Sequence, residues 1–227
     1  MKKLKRFLLV IVVLLMAVLL YVQLVNINAV NMTFRQKLLK TFYPAFMWVT
    51  QKANTNNKVI SHAAIPAPVS FYSLSATLID GTVLPFDTLK GKKILLVNTA
   101  SDCGYTNQYE ALQALWLQYG KQLLVIGFPA NDFKEQEKGD DASIAAFCKK
   151  NYGVDFLLAT KSVVVKGKEQ NPVFAWLSDA AKNGWNNQAP SWNFSKYLVN
   201  EQGMLVNYFD PSVDPLSAPV LQAIVQP

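Results

Sequence analysis

Nineteen consecutive residues at positions 7–25, FLLVIVVLLMAVLLYVQLV, carry no charge and only one clearly polar side chain, Gln23. At about 1.5 Å per residue, a helix of this length comes close to the hydrocarbon thickness of a bilayer. The run lacks the polar face that a helix of a globular domain keeps toward water, so it is read as a membrane span. Lys2, Lys3, Lys5 and Arg6 precede it. Positive residues stay on the cytoplasmic side, which places everything after residue 25 outside the cytoplasm, on the periplasmic side in a bacterium. A cleaved signal peptide ends in small residues after a shorter apolar region, whereas QLVNINAVNM follows here. An uncleaved anchor is the favoured reading, and secretion after cleavage is the alternative.

The formal charge of +7 divides unevenly along the chain. Residues 1–66 hold nine Lys/Arg and no Asp/Glu, while residues 67–227 hold thirteen Lys/Arg against fifteen Asp/Glu. Basicity therefore belongs to the membrane-proximal part, and the remainder carries no basic stripe with interleaved aromatics, which excludes nucleic acid as a partner. Three parts are expected: a basic tip and anchor over 1–27, a basic juxtamembrane segment and linker over 28–66, and one domain over 67–227. Within the second part, MTFRQKLLKTFYPAFMWVTQK predicts an amphipathic helix against anionic headgroups, interrupted near Pro44. The stretch ANTNNKVISHAAIPAP reads as a linker.

From residue 69 the pattern is α/β. FYSLSATLI and TVLPF alternate around Asp80-Gly81, a dipeptide typical of two-residue hairpins. KILLVNTA is a continuous apolar run suited to a strand covered on both faces. A helix is predicted over 107–119, followed by the strand QLLVIGFP, the helix DASIAAFCKKNY, the strand TKSVVV, the helix NPVFAWLSDAAK and the hairpin KYLVNEQGMLVNYF. A last helix is expected over 214–225. This order is that of a thioredoxin-like sheet: central, mixed, flanked by helices, with an N-terminal hairpin in front.

Cys103 follows the central strand and precedes a helix, where N–H groups favour an anion and lower a thiol's pKa. The position three residues on is Thr106, so no Cys-x-x-Cys dithiol exists. His62 is the only histidine and falls in the linker, which leaves a Cys–His hydrolase without its base. Two cysteines and one histidine also argue against a metal or iron–sulfur site, and no cofactor is expected. An activated thiolate alone attacks electrophiles well, and with a peroxide it gives sulfenic acid.

The stretches VNTASDCGYTNQYEALQAL, IGFPANDFKEQEKG, FCKKNYGVDF and WNFSKYLV resemble, in order and spacing, the signature segments of the glutathione peroxidase family. The resemblance covers about residues 69–225. It implies a cysteine-type thiol peroxidase in which Cys103 is peroxidatic and is held by Gln136, Trp192 and Asn193. Amide and indole N–H groups of these types can hydrogen-bond a thiolate and the departing peroxide oxygen, so the thiol pKa is expected to fall. The implied substrates are hydrogen peroxide or organic and lipid hydroperoxides, and the implied reductant is a thioredoxin-like protein or a small thiol such as glutathione. Cys148 lies on the helix that carries a resolving cysteine in thioredoxin-dependent members; a resolving thiol and a packed core thiol both remain open for it. Where the family has an amide, this chain has Asp132, expected to point away from the pocket. Residues 67–227 contain no arginine to capture glutathione carboxylates. Two other readings of the fold are an extracytoplasmic thiol-disulfide oxidoreductase, disfavoured by Thr106, and a non-catalytic redox-sensing or binding module.

Overall fold

A computed structural model describes residues 2–226. The apolar run forms helix α1 (Lys2–Val25), and among the described residues it is the one helix long and apolar enough to cross a membrane. Helix α2 (Phe34–Lys52) follows after a short turn. Its start is set by a capping box, in which Thr33 Oγ1 accepts from the Gln36 N–H and the Gln36 side chain accepts from the Thr33 N–H. The helix runs unbroken through Pro44, contrary to the expected interruption. Pro44 sits on the exposed face, where water can take up the carbonyl left without its helical donor.

The predicted linker is also ordered in part. Its residues Val59–Ser61 form strand β1, which pairs antiparallel with a strand near the C-terminus, so the sheet begins before residue 67. Strands β2 (Ser75–Thr77) and β3 (Val83–Pro85) make the expected small hairpin. Its loop holds three residues rather than two, because the Leu78 N–H donates to the Thr82 carbonyl at 2.7 Å and Gly81 takes the left-handed turn position at φ +87°.

Strand β4 (Lys93–Thr99) is buried along its whole length, as a strand covered on both faces must be. Helix α3 (Gln108–Tyr119), strand β5 (Leu123–Pro129), helix α4 (Asp141–Tyr152) and strand β6 (Leu157–Leu158) follow. TKSVVV does not form the predicted strand. Its donors are spent elsewhere: the Lys161 N–H on the Asp141 carboxylate, the Ser162 N–H on the Pro129 carbonyl and the Val164 N–H on the Asp132 carboxylate. The predicted helix over 171–182 divides into α5 (Pro172–Leu177) and α6 (Ala180–Asn183), since Asp179 caps the second piece through the Ala181 N–H. Strands β7 (Lys196–Val199) and β8 (Leu205–Phe209) form the C-terminal hairpin, and α7 (Ala218–Val225) closes the chain.

The main sheet runs β1-β8-β7-β4-β5-β6, with β4, β5 and β6 parallel and the other three antiparallel. One apolar core lies on each face. The first packs α3, α4 and α7 on Leu95, Val97 and Val125, and the second packs α5 on Leu96, Ile126 and Phe128. The α/β fold of thioredoxin type, preceded by an apolar helix, stands as the sequence predicts.

Candidate active site

Cys103 lies in a tight turn between β4 and α3, several residues ahead of the helix rather than in its first turn. The turn is built by Thr106, whose hydroxyl accepts from the Cys103 N–H at 3.0 Å and donates to the Ala100 carbonyl at 2.8 Å. The residue at the second-cysteine position of a dithiol motif therefore does structural work here. The Tyr105 N–H points at the Cys103 sulfur at 3.4 Å.

The two loops that meet this turn are also held by β4 and its surroundings. Asn98 at the end of β4 donates to the Trp192 carbonyl and accepts from the Ser195 N–H, and its own carbonyl receives the Phe194 N–H. Phe194 is held at φ +67°, a conformation that costs a non-glycine residue energy and here turns Trp192 and Asn193 toward the cysteine. On the other side, Lys134 and Glu135 both take positive φ, and the Gln136 carbonyl receives the Asp102 N–H at 3.0 Å. Asn193 Nδ2 donates to Gln136 Oε1 at 3.0 Å, and the Trp192 and Asn193 side chains come near enough to Cys103 to pull its pKa down. The four residues singled out in the sequence, Cys103, Gln136, Trp192 and Asn193, thus converge from three separate segments.

Asp132 accepts from the Val164 N–H at 2.8 Å and so is turned to that loop. His62, as expected, takes no part in the site; its ring stacks on Trp185 with centroids 5.1 Å apart. Cys148 is fully buried on the core side of α4 beside Tyr109, and burial pushes its thiol up to about 12. Both cysteines are free thiols.

The family model described as Glutathione peroxidase matches residues 71–178. A glutathione peroxidase-like peroxiredoxin of Chlamydomonas reinhardtii is 41% identical over 157 residues, covering 68% of this chain and 96% of that protein. The chain belongs to the glutathione peroxidase family. A further glutathione peroxidase-like peroxiredoxin, from Schizosaccharomyces pombe, is 44% identical over 140 residues, covering 61% of this chain and 87% of its own. Among solved structures, T. cruzi GPX1 superposes with a TM-score of 0.51 at 27% identity, covering 68% of this chain and 92% of that one. This glutathione peroxidase family member is accordingly a peroxidase of the cysteine type.

Its environment departs from the sequence expectation in one respect. Burial pushes the Cys103 thiol up to about 11, against the downward pull of the Tyr105 N–H, the Trp192 and Asn193 side chains and the Arg35 charge. The expected fall is overridden because Cys103 is only 1% exposed. The cover is α2. Arg35 forms an ion pair with Asp102 and donates to its carbonyl, Gln36 donates to the Ser101 carbonyl at 3.0 Å, and the Phe46 ring packs edge-on against Tyr105 over Gly104. The void at Cys103, walled on one side by Gln36, Leu39 and Lys40, measures only about 10 Å3. That is the lower limit for one water.

A larger cleft of about 650 Å3 opens next to it, between residues 30–36, the Gln136 loop and the outer face of α4. Its walls combine apolar Val30, Ile144 and Phe147 with Lys138 and Lys150. Sequence reasoning missed Arg35, Gln36, Asn98 and Glu137. The Thr33-x-x-Gln36 capping box was the available signal for where α2 begins, but nothing local indicates that its inner face lies on a cysteine nearly seventy positions away.

Proposed function

We propose that this peroxidase is tethered to a membrane by α1, with its domain outside the cytoplasm, and that it reduces hydrogen peroxide and organic or lipid hydroperoxides through Cys103. The observation that carries the reading is the convergence of Trp192 and Asn193 on the Cys103 sulfur, with Gln136 bonded to Asn193. Once α2 lifts from the sulfur and admits peroxide and water, the burial that holds the proton on Cys103 is relieved; the thiolate attacks one peroxide oxygen, an S–O bond forms as the O–O bond breaks, and the departing alkoxide or hydroxide takes up a proton to leave as alcohol or water. Indole and amide N–H groups favour the charge both on sulfur and on the departing oxygen without offering a competing nucleophile. One thiol then condenses with the sulfenic acid, releasing water and leaving a mixed disulfide, and a second thiol restores Cys103. A thioredoxin-like protein or a small thiol such as glutathione fits that role. If Cys148 acts as the first thiol, α4 has to open to release it from the core. The chemistry calls for no cofactor.

The full chain in detergent, mixed with peroxide in a stopped-flow instrument, should lose the Cys103 thiol much faster than free cysteine does, and Cys103→Ser should abolish the reaction. Reaction no faster than that of free cysteine refutes the assignment. Competition between a phospholipid hydroperoxide and hydrogen peroxide fixes the preference. Intact mass fixes the reductive route, since loss of two hydrogens marks a Cys103–Cys148 bond and gain of one oxygen marks a persistent sulfenic acid.

A further inference from the structure

Helix α2 has two faces with different fates. The inner one, Gln36, Leu39, Lys40, Tyr43, Phe46, Met47 and Thr50, recurs every three or four residues and is turned to the domain. The outer one is also apolar, and it is uncovered: Phe34 is 44% exposed, Phe42 43% and Trp48 63%, with Leu38 and Val49 beside them. Ile27, 76% exposed, adds an apolar side chain in the turn toward α1. Beyond residue 49 the exposed large apolar side chains, such as Val83 and Leu117, are scattered through the sequence. Singly exposed apolar residues are ordinary, whereas a contiguous stripe marks a surface meant to meet something.

We propose that the outer face of α2 lies on the bilayer, with Phe34, Leu38, Phe42, Trp48 and Val49 seated at the boundary between headgroups and acyl chains of an anionic leaflet. Three observations favour lipid over a protein partner. First, α2 touches α1 at the turn where the span ends: Asn26 donates to Thr41 Oγ1 at 2.8 Å, Lys37 donates to Gln23, and Val22 is the buried residue of α1. The two helices therefore meet at headgroup depth. Second, residues 1–66 contain no acidic residue, and Lys37 and Lys52 accompany the apolar stripe while Arg35 and Lys40 are engaged by Asp102 and Glu110 of the domain, so the free charge on the outer side is positive, as in helices that bind anionic surfaces. Third, Trp48 has the amphipathic ring that concentrates at membrane interfaces. The inner face of the same helix covers Cys103, so the peroxidatic sulfur is held about one helix diameter, roughly 10 Å, from the leaflet. That placement suits peroxides formed in lipid.

The proposal rests on α1 being an anchor, and the two can be tested apart. The full chain is reconstituted in vesicles containing phosphatidylglycerol whose lipids carry bromine near the headgroup. Wild-type emission should be quenched relative to bromine-free vesicles, and the quenched component should vanish in Trp48→Phe and in Phe42→Glu. Because Phe42 is exposed, the glutamate does not disturb the core, and unchanged circular dichroism checks this. The proposal is overturned if Trp48 contributes no quenching, if Phe42→Glu leaves quenching intact, or if the stripe instead mediates a dimer that Phe42→Glu dissociates. Alkaline extraction reports on α1 alone. A chain that is extracted has lost the anchor reading, while a chain that stays without Trp48 quenching refutes only the seating of α2.

Discussion

Glu137 sits beside the proposed donor Gln136, and its ionisation should be visible in the stability of the whole domain. The side chain is fully buried; Ser101 Oγ donates to its Oε1 at 2.7 Å, and its Oε2 has no partner. Burial raises the carboxyl from its ordinary 4.5 to about 7, opposed by the Ser101 bonds and by Lys161, with Asp102 adding to the rise. A carboxyl whose folded pKa is raised contributes stability that is fully present below 4.5 and is lost as pH rises through 7. The shift spans 2.5 pH units at about 1.4 kcal/mol each, so about 3.5 kcal/mol is at stake over the whole range. Glu137→Gln removes the titration. It also leaves an amide without a partner at the Oε2 position, a penalty of about 1–3 kcal/mol that does not vary with pH. Denaturation of the full chain in detergent, wild type against Glu137→Gln, should therefore show the variant gaining relative stability from about pH 5 to about pH 8 by roughly 2–3 kcal/mol. Titrating groups that do not interact with Glu137 cancel in that difference, which leaves only its own term and its coupling to Lys161 and Asp102. A difference that stays flat over this range refutes the buried, partly neutral carboxyl.

Other outcomes follow from the same geometry. Thr106→Val leaves the Cys103 N–H and the Ala100 carbonyl without partners; a loss of roughly 2–3 kcal/mol in thermal denaturation is expected, while Thr106→Ser should stay within about 1 kcal/mol of wild type. Gly127 on β5 has no room for a methyl group, since a Cβ there meets Leu158 Cδ2 at 2.8 Å, so Gly127→Ala should cost about 1–3 kcal/mol and lower the melting temperature. Alkylation of Cys103 in the peroxide-free protein should climb about tenfold per pH unit until the pH nears 11, and a plateau below pH 8 would show that the sulfur is ionised under the cover.

The strand-and-helix alternation, the long apolar N-terminal helix, the central buried strand and the four candidate residues could all be read from the sequence, because each rests on local periodicity or on a short motif. Helix α4 falls on the predicted residues since Asp140 caps it at one end and Gly153 stops it at the other. The failures share a cause. TKSVVV has strand composition, yet Asp132 and Asp141 take its amide donors, and neither carboxylate is near it in sequence. Val59–Ser61 looks like linker until β8 offers an edge to pair with. Hydrogen-bond partners and burial are properties of neighbours in space. So the sequence by itself determined which residues could support a thiolate, whereas only the tertiary structure decided that helix α2, from outside the predicted domain, removes water from that sulfur and reverses the expected shift of its pKa.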